Sequence, residues 1–240
     1  MLDGNIKEQA SQRLFMHHIG IRKIKIQTVI NIRKLMLRKI SLLLLGFILF
    51  GTVQCQNIPI QKYKEIKRPT PNYSKDKTNT VEGVILHHTA EPTAEKSLAI
   101  LTGTERKVGA HVVIDTDGTR FILCKPTVVT WHAGHSILNG KEGCNNFTIG
   151  IEFQGNTLEM PLTEDQIDSA IEYLLPLIKK YNIPIKNLVT HETIRNAYMK
   201  KYPNKRVSGK VDITPTEYKR FMAKLNAALA EQKSSSTQVK

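Results

Sequence analysis

Cysteine is scarce: the 240 residues contain three, Cys55, Cys124 and Cys144, and none stands in a C-x-x-C pair. That excludes a disulfide-stapled scaffold, a zinc ribbon and dithiol redox chemistry, so the fold must hold together by packing. Internal repeats are absent. So is an apolar run long enough to cross a bilayer: the uncharged stretch at residues 40–53 has fourteen residues. At about 1.5 Å of helical rise each, they fall well short of a hydrocarbon core of ~30 Å. What is present, 40% apolar and 23% charged residues, matches an ordinary soluble enzyme and excludes wholesale disorder and a polytopic membrane protein.

The net charge of +14 divides unevenly along the chain. Residues 1–40 carry nine Lys or Arg against Asp3 and Glu8, so half of the excess precedes any globular pattern. The rest is spread thinly, and no nucleic-acid partner is expected. The basic pair Arg38-Lys39, the apolar run after it and the short polar exit have the layout of a secretory signal peptide. Met36 just ahead of that pair marks residues 1–35 as an upstream extension and 36–55 as the signal. Cys55 closes the apolar run at a position resembling the lipid-modified cysteine of bacterial lipoproteins; the other reading is a cysteine beside an ordinary cleavage site. Export to the bacterial envelope follows, with membrane contact only through such an anchor.

Residues 56–79 mix Lys67, Arg68, Pro69, Pro71 and Asn72 with little periodicity and read as a linker, leaving residues 80–231 as the domain and 232–240 as a polar tail. Within the domain, strands are expected at 81–88, 110–114, 119–123, 147–153 and 188–190. Asp115-Thr116-Asp117-Gly118 joins two of them as a hairpin turn. A helix over 93–101 follows Pro92. A longer one begins at a capping box of Thr163 and Gln166 and carries Ile167, Ala170, Ile171, Leu174 and Ile178 at helical spacing. Pro176 should kink or end it. A last helix opens at Thr214-Pro215-Thr216-Glu217 and buries Tyr218, Phe221, Leu225 and Leu229. Strands alternating with helices give an α/β (α+β) fold: one domain with a central mixed sheet flanked by helices.

Eight histidines are present, and His87, His88, His111, His132, His135 and His191 fall at or beside predicted strand ends. Any one of them could be a satisfied core residue. Several together, with Asp212, suit a catalytic zinc, for which two histidines and a carboxylate leave one position for water. Composition does not say which histidines.

The residues themselves resemble a family. Val84-Ile85-Leu86-His87-His88-Thr89-Ala90, Gly109-Ala110-His111-Val112-Val113-Ile114, Trp131-His132-Ala133-Gly134, the stretch from Cys144 to Glu152, and His191 after a long helix are similar to motifs of type 2 N-acetylmuramoyl-L-alanine amidases. These share a fold with peptidoglycan recognition proteins, and the nearest branch is the AmpD-like one. The resemblance implies Zn²⁺ held by His87, His191 and Asp212, with Glu152 as general base and Lys210 as the charge beside the oxyanion. The family's Asp-Pro-Gly reads Asp212-Ile213-Thr214 here, and Ala110 stands where some branches have tyrosine. His132, Trp131 and His111 are expected to line the cleft and bind substrate, although a structural hydrogen bond has an equal claim for His111 and His132 and a core role for Trp131.

The implied reaction is hydrolysis of the amide between the lactyl group of N-acetylmuramic acid and L-alanine, in peptidoglycan or muropeptides. The alternative is a module of the same fold that binds peptidoglycan without cutting it. Cys124 and Cys144 read as small buried residues, with a disulfide between them the other option in an oxidising envelope.

Overall fold

A computed structural model describes residues 61–207 and 212–237. The expected extension, signal peptide and Cys55 lie outside the described residues, as does Lys210. In chain order the strands are β1 (Glu65–Lys67), β2 (Tyr73–Thr78), β3 (Gly83–His88), β4 (Val112–Ile114), β5 (Arg120–Ile122), β6 (Val128–Thr130), β7 (Ile137–Leu138), β8 (Lys141–Glu142), β9 (Thr148–Phe153) and β10 (Leu188–Thr190). The helices are α1 (Ala94–Thr102), α2 (Glu164–Tyr181), α3 (His191–Lys201) and α4 (Pro215–Thr237). Six strands form a mixed sheet in the order β1-β5-β4-β9-β3-β10, and β2-β6 and β7-β8 form two small antiparallel pairs. Only β4 and β5 are antiparallel within the large sheet. The fold is the mixed α/β sheet with flanking helices that the sequence pattern predicts.

Because strand residues alternate faces, the sheet has two different sides. One side carries one apolar cluster and also buries Arg120 of β5 and His88 of β3. Val84, Leu86, Val112, Ile114, Ile149, Ile151 and Phe153 pack with Ile167, Ala170, Leu174 and Ile178 of α2 and with Phe221 and Leu225 of α4. The opposite side holds two separate apolar clusters, one built on Val113, Phe121 and α1 and one on Ile85, Phe147 and Ile194 of α3. β9 runs between β4 and β3, and it gives this side Gly150 and Glu152 in place of apolar side chains.

Local chemistry explains the element ends. The β4–β5 turn closes through Gly118 N–H to Asp115 O at 2.9 Å, with Gly118 at φ +79°, a conformation that favours glycine. At the start of α2 the capping box is complete: Gln166 N–H donates to Thr163 Oγ1 and Thr163 N–H to Gln166 Oε1, both at 3.0 Å. The helix does not end at Pro176 but runs on to Tyr181. Leu174 and Ile178 on either side of the proline are both buried, and their packing holds the turn despite the lost hydrogen bond.

At α4 half of the expected box forms. Glu217 N–H reaches Thr214 Oγ1 at 3.4 Å, but the Glu217 carboxylate accepts from Leu162 N–H and Arg220 instead. Thr214 N–H is taken by Thr157 Oγ1 at 3.0 Å. Tertiary partners have replaced the local one. The helix then continues to Thr237, through the stretch read as a polar tail.

The linker reading of residues 56–79 needs correction, because β1 and β2 lie inside it. β1 pairs with β5, Glu65 opposite Arg120, and β2 with β6. Tyr63, Thr70, Asn72 and Asn79 are buried. These strands complete edges through partners far along the chain, so their own residues show no apolar alternation; β2 is the polar hexad YSKDKT.

Candidate metal centre and active site

Three donors from distant stretches of chain converge. Leu86 of β3 stands opposite Thr190 of β10 in a parallel pair, so His191, the next residue after Thr190, arrives level with His87. Asp212 precedes α4. His87 Nδ1 lies 3.4 Å from Asp212 Oδ1, and His191 Nδ1 lies 2.8 Å from Asp212 Oδ2. One ligand atom from each of the three lies within 4.8 Å of the other two, and among the described residues no other group of His, Cys, Asp and Glu could hold a metal ion in this way. Asp212 is fully buried and His87 nearly so. A carboxylate this far out of water requires positive charge beside it.

With Asp212 buried behind them, His87 and His191 open onto a cavity of about 700 Å³. Glu152 sits on its wall, in register with His87 on the neighbouring strand and therefore on the same face of the sheet. It is 7% exposed, and its Oε2 has no hydrogen-bond partner. An acceptor buried without a partner costs free energy in the folded state, a cost that marks this carboxylate as more than packing. Trp131 and His132 also line the cavity, as do Ile100 and Leu101 of α1 and the basic Arg106, Lys107 and Arg206.

The sequence-derived candidates separate here. Trp131 is half-buried on the wall, with its Nε1–H donating to Ser74 Oγ at 3.0 Å; the β2 segment that read as linker holds it. His111 does not reach the cleft, which corrects its assignment to substrate binding in favour of the other reading, a structural hydrogen bond. It is fully buried, its Nε2–H donates to Val128 O at 2.9 Å, and its Nδ1 accepts from Gly150 N–H at 2.9 Å. Burial pushes its pKa down to about 4. His88 points away from His87 as strand alternation predicts, and its Nδ1 accepts from Thr157 N–H at 3.0 Å. Cys124 and Cys144 are both free thiols, so the disulfide option is corrected. Burial pushes the Cys124 thiol up to about 11.

His132 is both wall and neighbour to the trio. Its ring meets His87 edge-on, with centroids 5.4 Å apart. Burial first, then the nearby His87, His111 and His191, holds its pKa well below the ordinary imidazole range. Sequence reasoning passed over Asn145, whose Oδ1 accepts from both His132 N–H at 3.0 Å and Ala133 N–H at 2.7 Å and so fixes that turn. It also passed over the stack of His135 on Tyr198, centroids 5.0 Å apart and planes 19° from parallel. Asn145 stood in view inside the quoted stretch from Cys144 to Glu152; nothing local announces the His135–Tyr198 contact.

Comparison with known proteins identifies the family. Residues 77–206 match the N-acetylmuramoyl-L-alanine amidase family. The chain is 37% identical over 79 residues to the 1,6-anhydro-N-acetylmuramyl-L-alanine amidase AmpD of Haemophilus influenzae, covering 32% of this chain and 41% of that protein. It is 30% identical over 143 residues to the AmpD of Escherichia coli, covering 51% of this chain and 76% of that protein. The crystal structure of a selenomethionine AmpD derivative superposes with a TM-score of 0.52 at 23% identity, over 66% of this chain and 93% of that one. With its motifs in order on this sheet, and with more than half of its length matched, the chain belongs to the type 2 N-acetylmuramoyl-L-alanine amidase family, in its AmpD-like branch.

Proposed function

We propose that this protein is a zinc-dependent N-acetylmuramoyl-L-alanine amidase that hydrolyses the amide between the lactyl group and L-alanine of peptidoglycan or muropeptides. The observation that carries the reading is the convergence of His87, His191 and Asp212 at a cavity that Glu152 also lines. Two imidazoles and a buried carboxylate fit zinc, whereas magnesium and calcium favour sites built of oxygen alone. Zinc held by these three residues would supply Lewis acidity toward the amide oxygen and toward water. The family relatives named for this chemistry support the substrate class.

Glu152 does the proton work. Its carboxylate accepts a proton from the attacking water and returns it to the alanine nitrogen as the C–N bond breaks, which turns a poor leaving group into a neutral amine. Lys210, two residues before Asp212 in sequence, contributes positive charge against the carbonyl oxygen as it becomes anionic. Trp131 and the apolar wall from α1 offer surface to the sugar and peptide, and Arg106, Lys107 and Arg206 offer charge to carboxylates. Residues 36–55 support a place for this activity in the bacterial envelope, checked by fractionating cells that express the full chain.

The test is metal analysis combined with turnover on purified wall and on soluble muropeptides, before and after chelation. Stoichiometric zinc, release of a peptide with a new L-alanine N-terminus, loss on chelation and recovery with zinc are expected. Binding to wall with no peptide release by the zinc-replete protein would overturn the reading and leave a binding module.

A further inference from the structure

We propose that His132 is a positioning residue: it fixes His87 in the one tautomer that presents a bare Nδ1 to the metal site. The inference rests on the zinc reading above and adds a role to a residue that otherwise serves only as cavity wall.

Donors and acceptors form a chain that runs outward from the backbone. His132 Nε2 faces two oxygens, the carbonyl of Thr148 at 3.3 Å and the hydroxyl of Thr148 at 3.4 Å. The carbonyl can only accept. The hydroxyl spends its proton on Cys144 O at 2.7 Å and so also presents a lone pair to the ring. His132 Nε2 therefore carries the hydrogen, and in the neutral ring Nδ1 is the acceptor. That Nδ1 lies 3.2 Å from His87 Nε2, so His87 Nε2 must be the donor. His87 Nδ1 is then left with its lone pair, on the side that faces Asp212 Oδ1 at 3.4 Å. A ligating histidine whose second nitrogen donates to a fixed acceptor is held in tautomer and in orientation before the metal arrives.

The fold makes room for this ring on purpose. A Cβ on Gly150 would stand 2.5 Å from His132 Cγ and 2.6 Å from its Nδ1. Glycine at that place in β9 lets the imidazole lie directly on the strand backbone. The backbone of His132 is fixed in turn by Asn145 Oδ1.

The experiment compares an isosteric pair in the full chain, His132→Asn and His132→Leu. Asparagine keeps an acceptor where Nδ1 was; leucine has the same shape and none. Zinc affinity is read by competition against a chromophoric chelator. His132→Leu is expected to bind zinc roughly 10–100-fold more weakly than wild type, and His132→Asn to stay within about threefold. Equal losses in both variants, or no loss in His132→Leu, would overturn the proposal while leaving wild-type zinc binding and turnover intact. A wild type that binds no zinc would instead sink the zinc reading and this inference together. Should either variant fail to fold, imidazole ¹⁵N spectra of the metal-free wild type give the answer directly. Hydrogen on Nε2 of both His132 and His87 is expected, and hydrogen on Nδ1 of either ring refutes the relay.

Discussion

The two faces of the central sheet are made by alternate residues of the same strands, yet they do opposite things. Toward α2 and α4 the strands present Val84, Leu86, Ile149, Ile151 and Phe153, all essentially without solvent exposure. Toward α1 and α3 the same strands present Ile85, His87, Gly150 and Glu152, and the apolar packing divides into two clusters. The first face stabilises by removing apolar area from water. The second gives up some of that burial to keep polar groups dry, close together and open to a cavity. The comparison teaches that the site is an interruption of the core, tolerable because the opposite face is continuous.

The sharpest way to break this comparison is at Glu152. Glu152→Gln should lower turnover by roughly 10²–10⁴-fold through loss of the proton acceptor, with zinc content unchanged. Its unfolding free energy should be no lower than wild type, since a neutral amide replaces a carboxylate oxygen that has no partner. Steady-state assay beside denaturant unfolding checks both halves. Unimpaired turnover would show that this residue belongs to the scaffold.

The mirror experiment is on the apolar face. Leu174 is fully buried in α2, and Leu174→Ala should cost roughly 3 kcal/mol of stability through lost burial and a residual cavity. Turnover per folded molecule should stay at the wild-type level. A fall in turnover at full folding would mean that packing on one face sets geometry on the other.

Acidification separates the faces through one buried histidine. His111 lies under the site side, buried, with its pKa held at about 4 against an ordinary 6.5. Between those values the unfolded chain takes up a proton that the folded chain refuses, so His111 makes stability fall as pH drops from 6.5 and level off near 4. The slope within that window is about 1.4 kcal/mol per pH unit. His111→Asn keeps an acceptor for Gly150 N–H and removes the titration. The stability advantage of wild type over this variant should therefore shrink by about 1.6 kcal/mol from pH 6.5 to pH 5, measured by urea unfolding. A constant difference would show that His111 does not titrate as its burial requires.

Much of this was legible in the sequence because the signals are local. The Thr163–Gln166 box, the Asp115–Gly118 turn and the period of Ile167, Ala170, Leu174 and Ile178 each lie within one element. The metal trio was legible only through resemblance: His87, His191 and Asp212 are far apart in the chain, and strand order, which no local pattern encodes, brings them together. β1 and β2 were illegible for the same reason, since a polar edge strand has no periodicity and its partners lie in β5 and β6. His111 and His132 looked alike as strand-end histidines. Gly150 decides between them, because its N–H binds one ring and its missing side chain admits the other.

The smallest effect tests whether the faces are independent at all. Thr163 accepts from Gln166 N–H at the start of α2, and its hydroxyl donates to Thr116 O at 2.7 Å, tying the helix to the β4–β5 turn. Thr163→Ala removes both bonds and should cost about 1 kcal/mol. Thr163→Ser, which keeps the oxygen, should cost a few tenths of that energy scale. Neither should move zinc affinity or turnover, because the cap reaches the site only through the continuous apolar layer, and that layer transmits a loss of global stability rather than a displacement. If Thr163→Ala weakens zinc binding while the protein remains folded, the apolar face is part of the site's geometry and not merely its support.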